Sequence, residues 1–233
     1  MAYARLYDVD KVDRLFPVYE GDKMSDFKQE HANTSGLGKR DLTRKGDYIE
    51  TFSGIPFYVM DPKENEILLD DIIQALSSAP RYGGHARRIN GFALSVAEHS
   101  IRVADYLYRK YGNKGLANKG LFHDASEAYL VDIPRPIKPE LTNYKKIEEG
   151  VQCLIYEKFC NGIPNDAQKD LIKEADNVML FAEAHKLMKS KGVGWADYDK
   201  YIKQALEESD RIEVWSHDFA AHQFRLTYDY YKV

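Results

Sequence analysis

Three ionisable side chains lie within one short apolar stretch, Leu121 to Leu130, which reads LFHDASEAYL. His123 and Asp124 are adjacent, and Glu127 follows three residues after Asp124. A helix would therefore place all three on neighbouring sides of a single turn. Because burying unpaired ionisable groups among apolar side chains is costly, a metal ion is the simplest partner for them. This stretch is the first candidate for a chemical site.

Two other segments carry matching ligand types. His99 lies upstream in the sequence SVAEHS, and Asp176 lies downstream in KEADN. Two imidazoles and two carboxylates form a set suited to a divalent ion such as zinc, manganese or cobalt. The predicted metal ligands are His99, His123, Asp124 and Asp176. The chain has a second His-Asp pair, His217-Asp218, which lacks this company and is expected to bind no metal.

The order of these motifs resembles that of the HD-domain phosphohydrolases, which carry His, His-Asp and Asp with a Glu three residues after the pair. The fuller series TFSG, RYGGH, SVAEHS, HDASEAY and DIPRPIK resembles the branch of bacterial 5'-deoxynucleotidases and phage dATP triphosphohydrolases. The resemblance covers roughly residues 48–188. It implies an enzyme of nucleotide metabolism, a metal-dependent hydrolase that acts on 2'-deoxynucleotides and uses Zn, Mn or Co.

The resemblance also implies catalytic roles for Glu127 and Asp132. Glu127, next to the metal, would position a water molecule or transfer protons, whereas the alternative is a surface Glu on an amphipathic helix. Asp132 begins the DIPRPIK loop and resembles the family aspartate that completes the site. Its alternative role is that of a loop residue capping a turn.

Four residues are predicted to bind the substrate: Arg81, Tyr82, His85 and Lys138. Arg81 and Lys138 are the candidate phosphate ligands, because both carry donors that pair with phosphate oxygens. Tyr82 stands where the resembled deoxynucleotidases carry Trp, so packing on the sugar or base is expected but discrimination against ribose stays open. His85 is expected either to reach a phosphate or to cap its loop.

Two reactions compete within this resemblance. A 5'-deoxynucleotidase releases phosphate from a deoxynucleoside monophosphate, and this reaction is favoured. A triphosphohydrolase releases triphosphate from a dNTP, typically dATP, and would need further cations such as Arg87 and Arg88. Hydrolysis of an alarmone is a third possibility. A non-catalytic nucleotide-binding HD module is disfavoured because every expected ligand, and Glu127, is present.

Composition limits the other partners. The 233 residues carry a formal net charge of −4, with both signs mixed along the chain, so no nucleic-acid partner is expected. No apolar run approaches the length of a membrane span, and no signal pattern begins the sequence. We therefore expect a protein that does not bind membranes, and separately we expect a homo-oligomer. It would lie in the cytoplasm of a bacterium or, as a phage protein, of its host.

The elements predicted around these motifs give a mostly α fold, an HD-domain helical bundle with a small N-terminal β-hairpin. Residues 1–47 are predicted to be an arm or extension, and residues 48–233 the phosphohydrolase domain. A chain that begins at Tyr48 is accordingly expected to fold and bind metal. The hairpin is expected over residues 48–59, with its turn at Ser53-Gly54.

Helices are predicted from periodicity and from their end signals. Ser95 and Glu98 form an S-x-x-E pattern, which is typical of a capping box. One continuous helix is expected from Leu116 to Leu130, and it would carry His123, Asp124 and Glu127. The other predicted helices run from Leu69 to Ser78, from Ser95 to about Tyr111, from Tyr144 to Cys160 and from Asp166 to Met188, with one or two more after Tyr198.

Overall fold

The computed structural model describes residues 41–233, in which eight α-helices accompany one two-stranded antiparallel sheet. The mostly α prediction with a small hairpin is confirmed. Most of the predicted arm, residues 1–40, lies outside the described residues, and the predicted domain boundary stays a prediction. The strands are β1 (Ile49–Glu50) and β2 (Pro56–Phe57), and the helices are α1 (Leu69–Ser78), α2 (Val96–Tyr111), α3 (Lys114–Leu121), α4 (Glu127–Leu130), α5 (Thr142–Phe159), α6 (Asp166–Leu187), α7 (Tyr198–Ser209) and α8 (His217–Tyr231).

The hairpin turns where its sequence predicts. Ile49 pairs with Phe57, and the N–H of Gly54 donates to the carbonyl of Thr51 at 2.9 Å. Gly54 has a φ of 78°, which glycine adopts without a steric penalty. Phe57 is fully buried, and its ring stacks on Tyr129 with the centroids 4.2 Å apart. The hairpin is thereby packed against α4, the short helix that contains Tyr129.

Helix α2 begins at its predicted cap, but only half of the expected capping box forms. The Ser95 hydroxyl accepts from the N–H of Glu98 at 3.1 Å. The Glu98 carboxylate does not return to the cap. It accepts instead from the N–H groups of Trp215 at 2.8 Å and Val214 at 3.3 Å, and it pairs with Arg102 at 3.1 Å. Glu98 therefore links α2 to the connection before α8. The capping box stays incomplete because the carboxylate makes tertiary contacts instead, with two backbone donors that lie more than a hundred residues away in the sequence.

The predicted continuous helix from Leu116 to Leu130 is wrong. Helix α3 ends at Leu121, a series of tight turns follows, and α4 begins at Glu127. In a continuous helix the N–H of Ser126 would donate to the carbonyl of Phe122. Here the side-chain amide of Gln152 lies between them: it accepts from Ser126 N–H at 3.0 Å and donates to Phe122 O at 2.6 Å. A side chain inserted into the hydrogen-bond ladder is a known cause of helix breaks.

Helix α6 crosses the core beside α2 and α7. It has the predicted bounds to within one residue, and the Asn165 side chain caps its first turn. Its buried face includes two carboxylates, since Asp176 is 9% exposed and Glu183 is fully buried. Such groups are stable in a core only when they are paired. Within residues 41–233, no helix is both long and apolar enough to cross a bilayer.

Candidate metal centre

Three of the four predicted ligands converge on one point. The Nε2 atoms of His99 and His123 lie 3.3 Å apart. Oδ2 of Asp124 lies 3.1 Å from His123 Nε2 and 3.7 Å from His99 Nε2. Two ligand atoms that each lie about 2.1 Å from one ion are roughly 3.0 Å apart if the angle at the ion is a right angle, and roughly 3.4 Å apart if that angle is tetrahedral. His99, His123 and Asp124 thus form a group that can hold a single metal ion.

Both imidazoles are fixed by a hydrogen bond on the far side of the ring. Nδ1 of His123 lies 2.8 Å from the carbonyl oxygen of Gly120, and Nδ1 of His99 lies 2.6 Å from Oε1 of Glu183. Both partners accept hydrogen bonds and donate none, so each Nδ1 carries the proton. The two Nε2 atoms therefore face the shared point, as expected of metal-binding histidines.

Asp176 approaches the same centre from α6. Its Oδ1 lies 3.4 Å from Nε2 of His99, while its Oδ2 accepts from Lys173 at 2.9 Å and from Arg135 at 3.4 Å. Burial raises the pKa of Asp176, but the hydrogen bond from His99 and the charge of Lys173 outweigh it and hold that pKa well below its usual range. Asp176 is ionised and adjacent to His99, and its role as the fourth ligand stays a prediction.

The cluster carries protons when no ion is bound. Burial and the nearby Arg81 lower the pKa of His99, but the carboxylates of Glu183 and Asp176 outweigh them and raise it to about 9. Burial raises the pKa of Asp124, whereas the adjacent histidine lowers it below the ordinary value. The metal-free site is accordingly an imidazolium among carboxylates, and a divalent ion would take over the positive charge.

Glu127 is buried beside this group at the start of α4. Its Oε1 accepts from Nζ of Lys138 at 3.1 Å, while its buried Oε2 has no hydrogen-bond partner among the described residues. Burial, followed by repulsion from Asp124 and Asp132, raises the pKa of Glu127 to about 9 although Lys138 opposes the shift. Lys138 also pairs with Glu148 at 3.1 Å. The predicted catalytic carboxyl is therefore protonated at neutral pH in the metal-free protein.

Arg81 and Tyr82 both contact the carboxylate of Glu183. Arg81 is buried, and its Nε donates to Oε2 of Glu183 at 3.0 Å, while its Nη1 lies 3.7 Å from Oδ2 of Asp124. The Tyr82 hydroxyl lies 2.8 Å from the same Oε2 and 3.2 Å from the carbonyl of Leu180. Nε of Arg81 thus bonds to a buried carboxylate of the core, while Nη1 lies near the metal group.

Other candidate residues lie elsewhere. His85 is exposed, and no hydrogen bond or ion pair within residues 41–233 joins its ring to the metal group. The Arg87 guanidinium donates to the carbonyl of Lys186 at 3.2 Å, near the end of α6. His217 and Asp218, the second His-Asp pair, are exposed at the start of α8.

Sequence reasoning missed three residues that shape this centre: Glu183, Arg135 and Gln152. Glu183 lies seven residues after Asp176 in an apolar segment, so both carboxylates share one face of α6. That spacing is a signal that could have identified it. Arg135 lies inside the DIPRPIK loop and approaches Asp176. Nothing in the sequence connects Gln152 with the turn that it holds.

The sequence of the chain is similar to those of several known proteins. No family model matches the chain. Over 148 residues it is 34% identical to the uncharacterized protein YfdR of Escherichia coli (strain K12), across 64% of this chain and 76% of YfdR. It is 26% identical over 142 residues to a 5'-deoxynucleotidase of Vibrio atlanticus, across 49% of this chain and 71% of that protein. It is 29% identical over 147 residues to the 5'-deoxynucleotidase PBPRA2627 of Photobacterium profundum, across 57% and 70% respectively.

Proposed function

Since the chain belongs to the family of the Escherichia coli protein YfdR, we propose that it is an HD-type, metal-dependent 5'-deoxynucleotidase. It would hydrolyse 2'-deoxynucleoside monophosphates to deoxynucleosides and phosphate. The observation that carries this proposal is the convergence of His99, His123 and Asp124 beside the buried carboxyl of Glu127. The relatives named 5'-deoxynucleotidase support the substrate class.

His99, His123 and Asp124 would hold the ion, with Asp176 as the fourth ligand. A divalent ion bound there would draw charge from a phosphoryl oxygen and make a water molecule more acidic. Two imidazoles with two carboxylates suit zinc, manganese or cobalt. Lys173 and Arg135 pair with Oδ2 of Asp176, whereas Oδ1 lies beside His99 Nε2 and is the oxygen that would hold the ion.

Glu127 would supply the proton that the departing deoxynucleoside needs. Its Oε2 is buried and unpaired among the described residues, and burial with the nearby carboxylates of Asp124 and Asp132 raises the pKa of the carboxyl. A carboxyl of this kind acts as a general acid. Lys138, on Oε1, would orient the group, and Asp132 would help to keep its pKa high.

The cations near the centre suit a single phosphate. Arg81 and Lys138 both lie against carboxylates of the site, and Arg135 adds a third charge from the loop before α5. In contrast, Arg87 is one of the cations expected to bind the β- and γ-groups of a triphosphate, and its guanidinium donates instead to a carbonyl at the end of α6. This arrangement favours a monophosphate over a dNTP.

Incubation with a nucleotide panel and Mn²⁺ or Co²⁺ tests the proposal. Phosphate and a deoxynucleoside should appear from dNMPs, with slower or no attack on the matching ribonucleotides. Release of triphosphate from dATP without attack on dAMP would show a triphosphohydrolase instead. No product from any nucleotide would show a non-catalytic module.

Two substitutions separate the metal role from the proton role. The Asp124→Ala protein should lose both bound Mn²⁺ and activity, whereas Asp218→Ala, in the exposed His-Asp pair, should keep both. The Glu127→Gln protein should keep its Mn²⁺ but lose about a hundredfold or more in kcat, the usual effect of removing a general acid. Turnover of Glu127→Gln close to that of the parent protein would exclude Glu127 as the proton donor.

A further inference from the structure

The carboxylate of Glu183 joins a metal ligand to two predicted substrate residues. Its Oε1 lies 2.6 Å from Nδ1 of His99. Its Oε2 accepts from Nε of Arg81 at 3.0 Å and from the hydroxyl of Tyr82 at 2.8 Å. Glu183 is fully buried, and each of its two oxygens has at least one of these three donors as a partner.

We propose that Glu183 is a positioning residue that prepares His99 to bind the metal and holds Arg81 beside the same centre. An imidazole has two tautomers and can turn about its χ2 bond, so a free histidine presents either nitrogen to an ion. An acceptor at Nδ1 removes both freedoms, and a carboxylate also strengthens the metal-binding nitrogen. Because the same carboxylate also accepts a hydrogen bond from Arg81, Glu183 fixes the position of a predicted metal ligand and of a predicted phosphate ligand.

A glutamine cannot replace Glu183 on both sides. Its side chain offers one carbonyl oxygen and one NH₂ group, whereas His99, Arg81 and Tyr82 all present donors. If the oxygen faces His99, the NH₂ group meets Arg81 and Tyr82. If the amide is reversed, the NH₂ group meets the Nδ1 proton of His99. Glu183→Gln therefore disrupts one side of the arrangement in either orientation while keeping the volume of the side chain.

This inference rests on the metal centre and not on the identity of the substrate. The first test therefore measures Mn²⁺ alone, by titrating the folded Glu183→Gln protein and the parent. Mn²⁺ affinity should fall about 10- to 100-fold, as is usual when the outer partner of a metal-binding histidine is removed. Glu174→Gln is the matched control on the same helix, because Glu174 pairs with Lys110 at the surface. It should stay within about twofold of the parent.

A second measurement uses the unchanged protein, so it holds whether or not the glutamine variant folds. Zinc-loaded protein labelled with ¹³C and ¹⁵N should show His99 bound through Nε2, with a proton on Nδ1 that is shifted far downfield by the carboxylate. The signal is assigned by through-bond correlations from the His99 ring to its own backbone. His123, whose Nδ1 faces the carbonyl of Gly120, provides an internal comparison in the same sample.

Two results would overturn the inference. One is a folded Glu183→Gln protein with Mn²⁺ affinity within about twofold of the parent, which is below the usual effect of such a partner. The other is zinc bound through Nδ1 of His99 in the parent. Failure of the parent to hydrolyse any nucleotide would refute the proposed function, yet it would leave both of these measurements as they are.

Discussion

At the scale of single residues, two groups of the candidate centre, His99 and Glu127, carry protons at neutral pH in the metal-free protein. His99 is fully buried between the carboxylates of Glu183 and Asp176, and these raise its pKa to about 9 from an ordinary value of 6.5. The pKa of Glu127 is raised to about 9 from 4.5, chiefly by burial. Both groups hold protons in the folded state that the unfolded chain would release at neutral pH.

The stability of the metal-free protein should therefore fall as the pH rises. A group whose folded pKa exceeds its unfolded value stabilises the fold below the unfolded pKa and loses that contribution up to the folded pKa. For His99 the window runs from pH 6.5 to about 9, and for Glu127 from 4.5 to about 9. Each proton contributes up to about 1.4 kcal/mol per pH unit, so thermal unfolding in the presence of a chelator should show a lower melting temperature at about pH 8.5 than at about pH 6.5.

Two variants and added Mn²⁺ test which groups cause this dependence of the melting temperature on pH. Glu127→Gln should remove roughly half of the slope between about pH 6.5 and 8.5, because one of two titrating groups is gone. His217→Gln, at an exposed histidine on α8, should leave the slope unchanged. Saturating Mn²⁺ should flatten or reverse it, since the ion replaces the protons. A metal-free protein whose melting temperature rises with pH over this range would contradict the assigned pKa directions.

At the same scale, the sequence could predict which residues converge into a group that can hold a metal ion, but not what surrounds them. His99, His123 and Asp124 are recognisable because each ligand type lies within a short characteristic motif. Glu183 has no such motif, and its function follows from three contacts that span 84 to 102 residues. Contacts at that separation are set by helix packing, which local patterns do not specify.

At the scale of elements, the turn between α3 and α4 places His123 and Asp124 at the centre. Gly120, just before it, permits α3 to approach α2 closely, because a Cβ atom there would clash with the side chain of Leu107. Gln152 then bridges the two ends of the turn from α5. The unbroken periodicity of the segment predicts a continuous helix, whereas the break depends on a residue of another helix.

Gln152→Glu should loosen this turn. A glutamate can still accept from the N–H of Ser126, but it cannot donate to the carbonyl of Phe122, and it brings a charge into a half-buried position. We expect a loss of about 1–3 kcal/mol in the free energy of unfolding, the usual cost of an unpaired buried polar group. Mn²⁺ affinity should fall as well, because the turn carries two of the predicted ligands, His123 and Asp124. Chemical denaturation and Mn²⁺ titration of the same samples measure the two effects.

Gln168→Glu is the matched control for that substitution. Gln168 also accepts a backbone hydrogen bond, from Asn165 N–H at 3.1 Å, and it lies at the start of α6, where glutamate is favoured. This variant adds the same charge and should leave both stability and Mn²⁺ affinity unchanged. Equal behaviour of the two glutamate variants would mean that Gln152 does not support the metal-binding turn.

Most element boundaries were predictable because their signals are local. Ser95 caps α2, Gly112 adopts the left-handed conformation that ends it, and Asn165 caps α6 with Gln168 completing the box. Glu98 shows the limit of such signals. Its sequence position matches a capping box, yet its carboxylate accepts hydrogen bonds from backbone N–H groups of the connection before α8. These donors are provided by the tertiary fold, which the local sequence does not specify.

At the scale of the whole molecule, the centre is assembled from segments that are far apart in the sequence. The turn at Arg81, helix α2, the turn at His123, the loop at Lys138 and helix α6 each contribute one or two side chains. None of these segments can form the site alone. Metal affinity is therefore a sensitive measure of whether the described part of the chain is folded, and it can be compared between shortened chains.

The residues just before the hairpin contribute to that fold through Arg44. Its guanidinium pairs with Asp61 at 3.0 Å and with Glu66, and it lies over the ring of Tyr58 with its central carbon 4.1 Å from the centroid. The side chain of Arg44 is only 6% exposed. A start at Tyr48 would remove this cation and leave the partly buried Glu66 without it.

A chain that begins at Tyr48 should consequently be less stable than one that begins at Asp41, although both should bind Mn²⁺. Removing one partner of a buried or half-buried ion pair leaves the other charge uncompensated, and we expect a loss of about 2 kcal/mol, or roughly 4–8 °C in melting temperature for a domain of this size. In the full chain, Arg44→Ala should reproduce most of that loss, whereas Lys45→Ala, at the exposed neighbouring position, should not. Equal melting temperatures for the two shortened chains would show that residues 41–47 contribute nothing to the domain and would support the domain boundary at residue 47.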